Sequence, residues 1–195
     1  MPDVLDLPVI LGTIREGRQS EHLARYVHGR LAARPGVQSR LVDPRAHQFQ
    51  NLRSRALDIE EAGTPELADF IRAMHRADGF CIVTPEYNYS FPGALKNLLD
   101  VTLKPWQRKP FLLIACGGLS GGLRCIDALR QVVAGVGAVA IPAHLGVPFI
   151  TKTFGPAGPL AEPEAWEKRV DGVLGELEWY ARALKPARLA RPAAP

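Results

Sequence analysis

Gly79-Phe80-Cys81-Ile82-Val83-Thr84 runs directly into Pro85-Glu86-Tyr87-Asn88-Tyr89-Ser90-Phe91, and that in turn into Pro92-Gly93-Ala94-Leu95-Lys96-Asn97. The first six residues are a short apolar run of the kind that fills a buried strand. The middle seven form a turn dense in aromatic residues. The last six open a helix expected over Pro92–Leu103. A buried strand that passes through a loop into a helix is half of a βαβ unit.

The flanking sequence repeats that unit. Val9-Ile10-Leu11 is a first strand closed by Gly12, and Ser20 can cap a helix in which Leu23, Val27 and Leu31 share one face. Val37 to Val42 is a second strand, and residues 44 to 63 are polar and irregular, a loop expected to be mobile. Thr64-Pro65 is a cap followed by proline at the first helical position, ahead of the stripe Leu67, Ile71, Met74. Phe111 to Ala115 is a fourth strand, Gly122 to Ala134 a helix, and Ala138 to Ile141 a fifth strand. A last helix carries Trp166, Val170, Val173, Leu174, Leu177, Ala181 and Leu184 at helical spacing. The expectation is a single α/β domain over residues 1–184, with residues 185–195 a disordered tail. Its sheet is five-stranded and parallel, with helices on both faces. In such sheets ligands bind at the carboxyl ends of the strands, where the winding reverses.

Bulk properties exclude more than they identify. A chain of 195 residues with 47% hydrophobic content suits one globular domain. Val132 to Ile150 lacks Asp, Glu, Lys and Arg, but Gly135, Gly137, Pro142, Gly146 and Pro148 interrupt it too often for a membrane span. The first eight residues lack the pattern of a secretory signal, and Cys81, Cys116 and Cys125 have no CxxC spacing. A reduced, cytoplasmic protein without a membrane partner is expected. The five histidines show no metal-ligand spacing, so no metal is expected. Net charge is +4, with 18 arginines to 6 lysines, yet these are spread along the chain without a basic helix. Nucleic acid is therefore not an expected partner.

Three strand-end loops carry the chemistry. After the first strand, Gly12-Thr13-Ile14-Arg15-Glu16-Gly17-Arg18-Gln19-Ser20 brings hydroxyls and two arginines to a helix start, which suits a phosphate. It has neither GxxxxGK[ST] nor GxGxxG, which favours a terminal monophosphate over a triphosphate or pyrophosphate. After the third strand, the turn from Thr84 can hold a flat ring by stacking and backbone contacts. After the fourth, Cys116-Gly117-Gly118-Leu119-Ser120-Gly121-Gly122-Leu123-Arg124 lets backbone approach a ligand and points helix-start N–H groups at negative charge.

These residues resemble the NAD(P)H-dependent FMN reductase family of flavodoxin-like proteins, which includes quinone, azo-dye and chromate reductases. The match lies in Pro85 through Ser90, Pro92 through Asn97 and Asp100, with the Gly117–Arg124 segment and the first loop in the expected order. The resemblance implies a flavodoxin-like three-layer sandwich with strand order 2-1-3-4-5, assembled as a homodimer or homotetramer with the third and fourth helices as contact surfaces. It implies bound FMN, with phosphate contacts from Thr13, Arg15, Arg18, Gln19 and Ser20. Ring contacts fall to Pro85, Glu86, Tyr87, Asn88 and Tyr89, and pyrimidine-end contacts to Gly117, Gly118, Ser120, Gly121 and Gly122. Many members carry G-S-x-R-x-x-S-x-N, whereas this chain has Thr13 for the first serine and Arg18 at the later one. Either Ser20 or Arg18 takes the missing place.

The implied activity passes hydride from NADPH or NADH through FMN to a small oxidant: free flavin, a quinone, an azo compound or a metal oxyanion. No catalytic side chain is expected, since the cofactor carries the chemistry. One alternative is a flavodoxin-type electron carrier without a nicotinamide site, although such carriers are acidic and this chain is basic. A flavin-free hydrolase or phosphatase is a second, but no cysteine lies between Gly12 and Ser20.

Overall fold

The computed structural model describes residues 4–47 and 58–190. In chain order these form β1 (Leu5–Asp6), β2 (Val9–Leu11), α1 (Ser20–Ala32), β3 (Val37–Gln38), β4 (Leu41–Val42) and α2 (Pro65–Arg76). Then follow β5 (Phe80–Pro85), α3 (Gly93–Asp100), β6 (Pro110–Gly117), α4 (Leu123–Gly135) and β7 (Val139–Pro148). The chain closes with α5 (Ile150–Thr153), a hairpin of β8 (Phe154–Gly155) and β9 (Gly158–Pro159), and α6 (Pro163–Ala190). The main sheet has the order β4-β2-β5-β6-β7 with every pairing parallel. Counted along the chain, those strands stand in the expected order 2-1-3-4-5.

Alternation along the strands divides the core into two layers. Phe80 and Ile82 of β5 join Ile10, Phe111 and Leu113 on the face covered by α2, α3 and α4. Cys81 and Val83 join Val9, Leu11, Leu112 and Ile114 on the face covered by α1 and α6. Both faces are dry, which explains why β5 and β6 read as unbroken apolar runs. Trp106, fully buried, sits 5.1 Å from the Phe80 ring and 6.1 Å from that of Phe111. Its indole N–H donates to the Leu99 and Thr102 carbonyls at 2.9 Å each, satisfying acceptors at the end of α3. That helix therefore ends at Asp100 rather than Leu103.

Four further differences from the sequence expectations have local causes. The first strand starts earlier, with β1 and β3 forming an added two-stranded ladder. Leu5, Leu7 and Val9 donate in turn to Gly36, Gln38 and Arg40, so the edge is continuous, while Pro8 lacks the N–H that would complete its other side. The fifth strand extends past Ile141 to Pro148, with a register shift opposite Phe111/Leu113; an edge strand tolerates Pro142. Residues 48–57 of the expected loop lie outside the described residues, and Ile59–Glu61 after them form a 3-10 turn capped by Asp58. Finally, α6 continues past residue 185, and residues 191–195 of the expected tail lie outside the described residues. The helix runs to Ala190, and Lys185 and Arg188 pair with the buried Asp78 at 3.0 and 2.8 Å.

Candidate functional site

Parallel pairing of β2, β5 and β6 brings their carboxyl-end loops to one edge of the sheet. A side chain at Gly12 would place Cβ 2.3 Å from Thr84 Oγ1, so glycine is what lets these two strand ends close. The loops enclose an open cleft of about 470 Å³, lined by Thr13, Arg15–Ser20, Pro85–Tyr87, Cys116–Gly118 and Ile150. Ten of the fifteen residues singled out in the sequence line it; Asn88, Tyr89, Ser120, Gly121 and Gly122 do not.

In the first loop, Thr13 Oγ1 lies 3.1 Å from the Tyr87 hydroxyl and accepts from the Arg15 N–H at 3.2 Å. Arg45 donates to the Ile14 and Arg15 carbonyls at 3.0 and 2.5 Å, fixing the loop from outside. Arg18 is buried and largely spent within the protein. It donates to Glu21 at 3.0 Å, to the Thr13 carbonyl at 2.6 Å and to both carboxylate oxygens of Asp43. Its hydrogen bond to Asp43 outweighs burial and holds the guanidinium pKa above its ordinary value. Ser20 is different: its side chain is 2% exposed and its Oγ has no partner among the described residues. A buried hydroxyl left unpaired costs about 1–3 kcal/mol. It stands in the first turn of α1, which has no side-chain cap. The Glu21 and His22 N–H groups of that turn donate to the Arg18 and Gln19 carbonyls at 3.4 and 3.2 Å, so the Ser20 hydroxyl is the buried polar group there that an incoming anion could satisfy.

In the aromatic turn, Tyr87 and Ser90 exchange two backbone hydrogen bonds, at 2.8 and 3.0 Å. Asn88 and Tyr89 between them have φ of 52° and 66°. Two successive left-handed residues make a tight two-residue hairpin turn of the type I′ class. It keeps Pro85, Glu86 and Tyr87 at the cleft and carries Tyr89 outward, 65% exposed. Glu86 ties this turn to the next loop. Its N–H donates to the Cys116 carbonyl at 2.8 Å, and its carboxylate accepts from the Cys125 N–H at 3.3 Å in the first turn of α4. A carboxylate there complements the helix dipole, and Gly122 at the cap position has no side chain to do so.

Gly117 and Gly118 form the third wall, and a Cβ at Gly118 would meet open space. Gly121 and Gly122 answer to packing instead. Their φ values are 63° and 86°, and a Cβ at Gly122 would lie 2.7 Å from that of Ala115. Cys116 is buried under this wall, and burial, with Cys125 nearby, pushes its thiol up to about 12. Burial and Glu86 do the same to Cys125, so neither supplies a thiolate at neutral pH. Four lining residues, Glu16, Gly17, Cys116 and Ile150, are not among the fifteen singled out in the sequence. Ile150 went unseen because the fifth strand was ended at Ile141; the uncharged run Val132 to Ile150 was the available signal.

A doubly wound parallel sheet of this order, with an open cleft at its switch point, defines a flavodoxin-like protein. The chain belongs to the NADPH-dependent FMN reductase family, whose model matches residues 6–152. It is 28% identical over 165 residues to an NAD(P)H-dependent FMN reductase of Saccharomyces cerevisiae, covering 71% of this chain and 81% of that one. It is 30% identical over 156 residues to a quinone reductase of Escherichia coli, covering 75% and 79%. In fold it is similar to the NAD(P)H:(acceptor) oxidoreductase FerB of Paracoccus denitrificans, with a TM-score of 0.72, 20% identity and coverage of 91% and 99%. The protein is thus an FMN-dependent oxidoreductase that uses NAD(P)H. Among the described residues no helix is long and apolar enough to cross a membrane.

Proposed function

We propose that the cleft seats FMN with its phosphate at the start of α1 and its ring between Pro85–Tyr87 and Gly117–Gly118. The oxidant reduced there is a small one: free flavin, a quinone, an azo compound or a metal oxyanion. The observation that carries this reading is the buried Oγ of Ser20, without a partner among the described residues, in the first turn of α1 at the cleft, where no side chain caps the helix. Ser20, Thr13, Gln19 and the exposed Arg15 surround the phosphate position. Arg18 supports them from behind, since Asp43 and Glu21 already hold it. Asn88, Tyr89, Ser120, Gly121 and Gly122 shape the walls through their turns.

When bound, FMN supplies the hydride chemistry that no side chain here offers. Thr13 and Tyr87 hold the phosphate loop against the ring turn, and Glu86 holds that turn against α4. The bare backbone at Gly118 allows a flat ring close approach. Three free cysteines support a reducing, cytoplasmic setting. Self-association through α3 and α4, as a homodimer or homotetramer, belongs to the same reading.

Purification with FMN, followed by assay of NADPH and NADH against a panel of oxidants, tests the reading. A yellow protein that consumes either nicotinamide steadily with a quinone is expected. A flavin-bound protein with no steady consumption is an electron carrier, and a colourless one that takes up no FMN overturns the reading.

A further inference from the structure

At the mouth of the cleft, cations lie over exposed aromatic rings. The Arg124 guanidinium is 4.3 Å from the centroid of Tyr89, and Lys152 Nζ is 5.9 Å from that of Phe149. Tyr89 is 65% exposed and Phe149 48%. Tyr89 lies two residues beyond cleft-lining Tyr87, and Phe149 immediately precedes cleft-lining Ile150 and donates its N–H to the carbonyls of cleft-lining Gly117 and Gly118 at 2.9 and 3.3 Å, so both rings stand beside the cleft. Both aromatic residues are held in left-handed backbone, at φ 66° and 46°. Such conformations persist where the surrounding structure enforces them, and they gather at ligand clamps.

The charges on this rim are unspent. Arg18, Arg30, Arg34 and Arg40 are each tied to carboxylates. Neither Arg124 nor Lys152 makes an ion pair or a side-chain hydrogen bond among the described residues. A guanidinium laid on an aromatic face is oriented in advance and keeps its edge N–H donors free for a phosphate or sulfonate. An oriented cation loses less freedom on binding an anion than a mobile one.

We propose that Arg124, presented by Tyr89, and Lys152, presented by Phe149, form an anion-recognising rim. The rim selects substrates that carry a negatively charged group beyond the part lying over the ring site. The inference rests on the reading of the cleft as the FMN site. Two sources supply that chemistry: the 2′-phosphate of NADPH, and an acidic substituent on a flat oxidant. Arg124 and Lys152 are thereby specificity-determining residues that leave the ring site itself untouched.

The test compares FMN-loaded wild type with the double variant Arg124→Gln/Lys152→Gln in matched pairs of ligands. The pairs are NADPH with NADH, and 1,4-naphthoquinone-2-sulfonate with 1,4-naphthoquinone. Calorimetric binding of adenosine 2′,5′-bisphosphate against adenosine 5′-monophosphate gives a readout independent of turnover. Loss of charge-assisted hydrogen bonds is expected to raise KM or Kd about tenfold for the member carrying the extra anion. Its counterpart is expected to change less than about twofold. The pair that responds identifies the source of the anion. Unchanged values in every pair, or equal changes in both members, overturn the inference. Failure of wild type to bind FMN, or to turn over with either nicotinamide, would count against the site reading instead.

Discussion

The hydroxyls of Thr13 and Tyr87 stand 3.1 Å apart, so the loop that follows β2 and the turn that follows β5 are joined across the floor of the cleft. Thr13 also accepts from the Arg15 N–H, which makes it the residue through which loop shape and ring turn are coupled.

Tyr87→Phe removes the link and leaves the ring. A part-buried hydrogen bond of this kind contributes about 1 kcal/mol, so the melting temperature is expected to fall by about 2–4 °C and FMN affinity to weaken by up to about fivefold. Fluorescence titration of FMN checks this. Unchanged affinity would mean that the two loops hold their positions independently.

Asp43→Ala leaves the Arg18 side chain, 3% exposed, with Glu21 as its remaining carboxylate. The expected loss of stability is about 2 kcal/mol, less than the roughly 3–5 kcal/mol of a fully buried broken pair. Urea unfolding at pH 7 measures it. In wild type, burial raises the Asp43 pKa, but the Arg18 hydrogen bond and the Arg45 N–H more than offset it and leave the carboxyl below its usual value. A depressed carboxylate pKa stabilises the fold above its unfolded value of about 4, and this is lost as pH falls through the folded value. Asp43→Ala is therefore expected to flatten part of the acid limb below about pH 4. An identical acid limb in both proteins would contradict this.

Lys109 is 3% exposed, and its Nζ donates to the Met74 and His75 carbonyls at 2.7 and 2.8 Å at the end of α2. Burial, with Arg188 nearby, lowers its pKa to about 7. Between about pH 7 and the unfolded value near 10, the unfolded chain binds the extra proton, so stability rises with pH across that window. Relative to Lys109→Met, wild type is expected to gain about 2 kcal/mol between pH 7 and pH 9 in urea unfolding. A constant difference would show that Lys109 stays charged in the fold.

Deletion of residues after Leu184 removes both cations from Asp78, whose side chain is 5% exposed. A buried carboxylate left without them is expected to cost about 3 kcal/mol, read as a lower melting temperature. An unchanged melting temperature would return these residues to the status of a passive tail.

How far the sequence could be read follows from the range of each interaction. The strand, turn and helix of residues 79–97 were legible because pattern and turn chemistry are local. So was the convergence of the Thr13–Ser20 loop on the same cleft. The task of Arg18 was hidden because Asp43 lies 25 positions away. Pro142, Gly146 and Pro148 read as breakers, yet β7 is an edge strand with one unpaired side, and this concealed Ile150. Pro186 and the alanines near it read as a tail, since nothing nearby in sequence announces that Asp78 awaits Lys185 and Arg188.

The most direct measurement compares FMN with riboflavin, which lacks the phosphate, in wild type and Ser20→Ala. Wild type is expected to bind FMN far more tightly than riboflavin. Ser20→Ala is expected to weaken FMN about tenfold and to leave riboflavin unchanged, because the hydroxyl acts on the phosphate alone. Equal affinity of wild type for the two flavins, or undiminished FMN binding by Ser20→Ala, would contradict a phosphate seated at the start of α1.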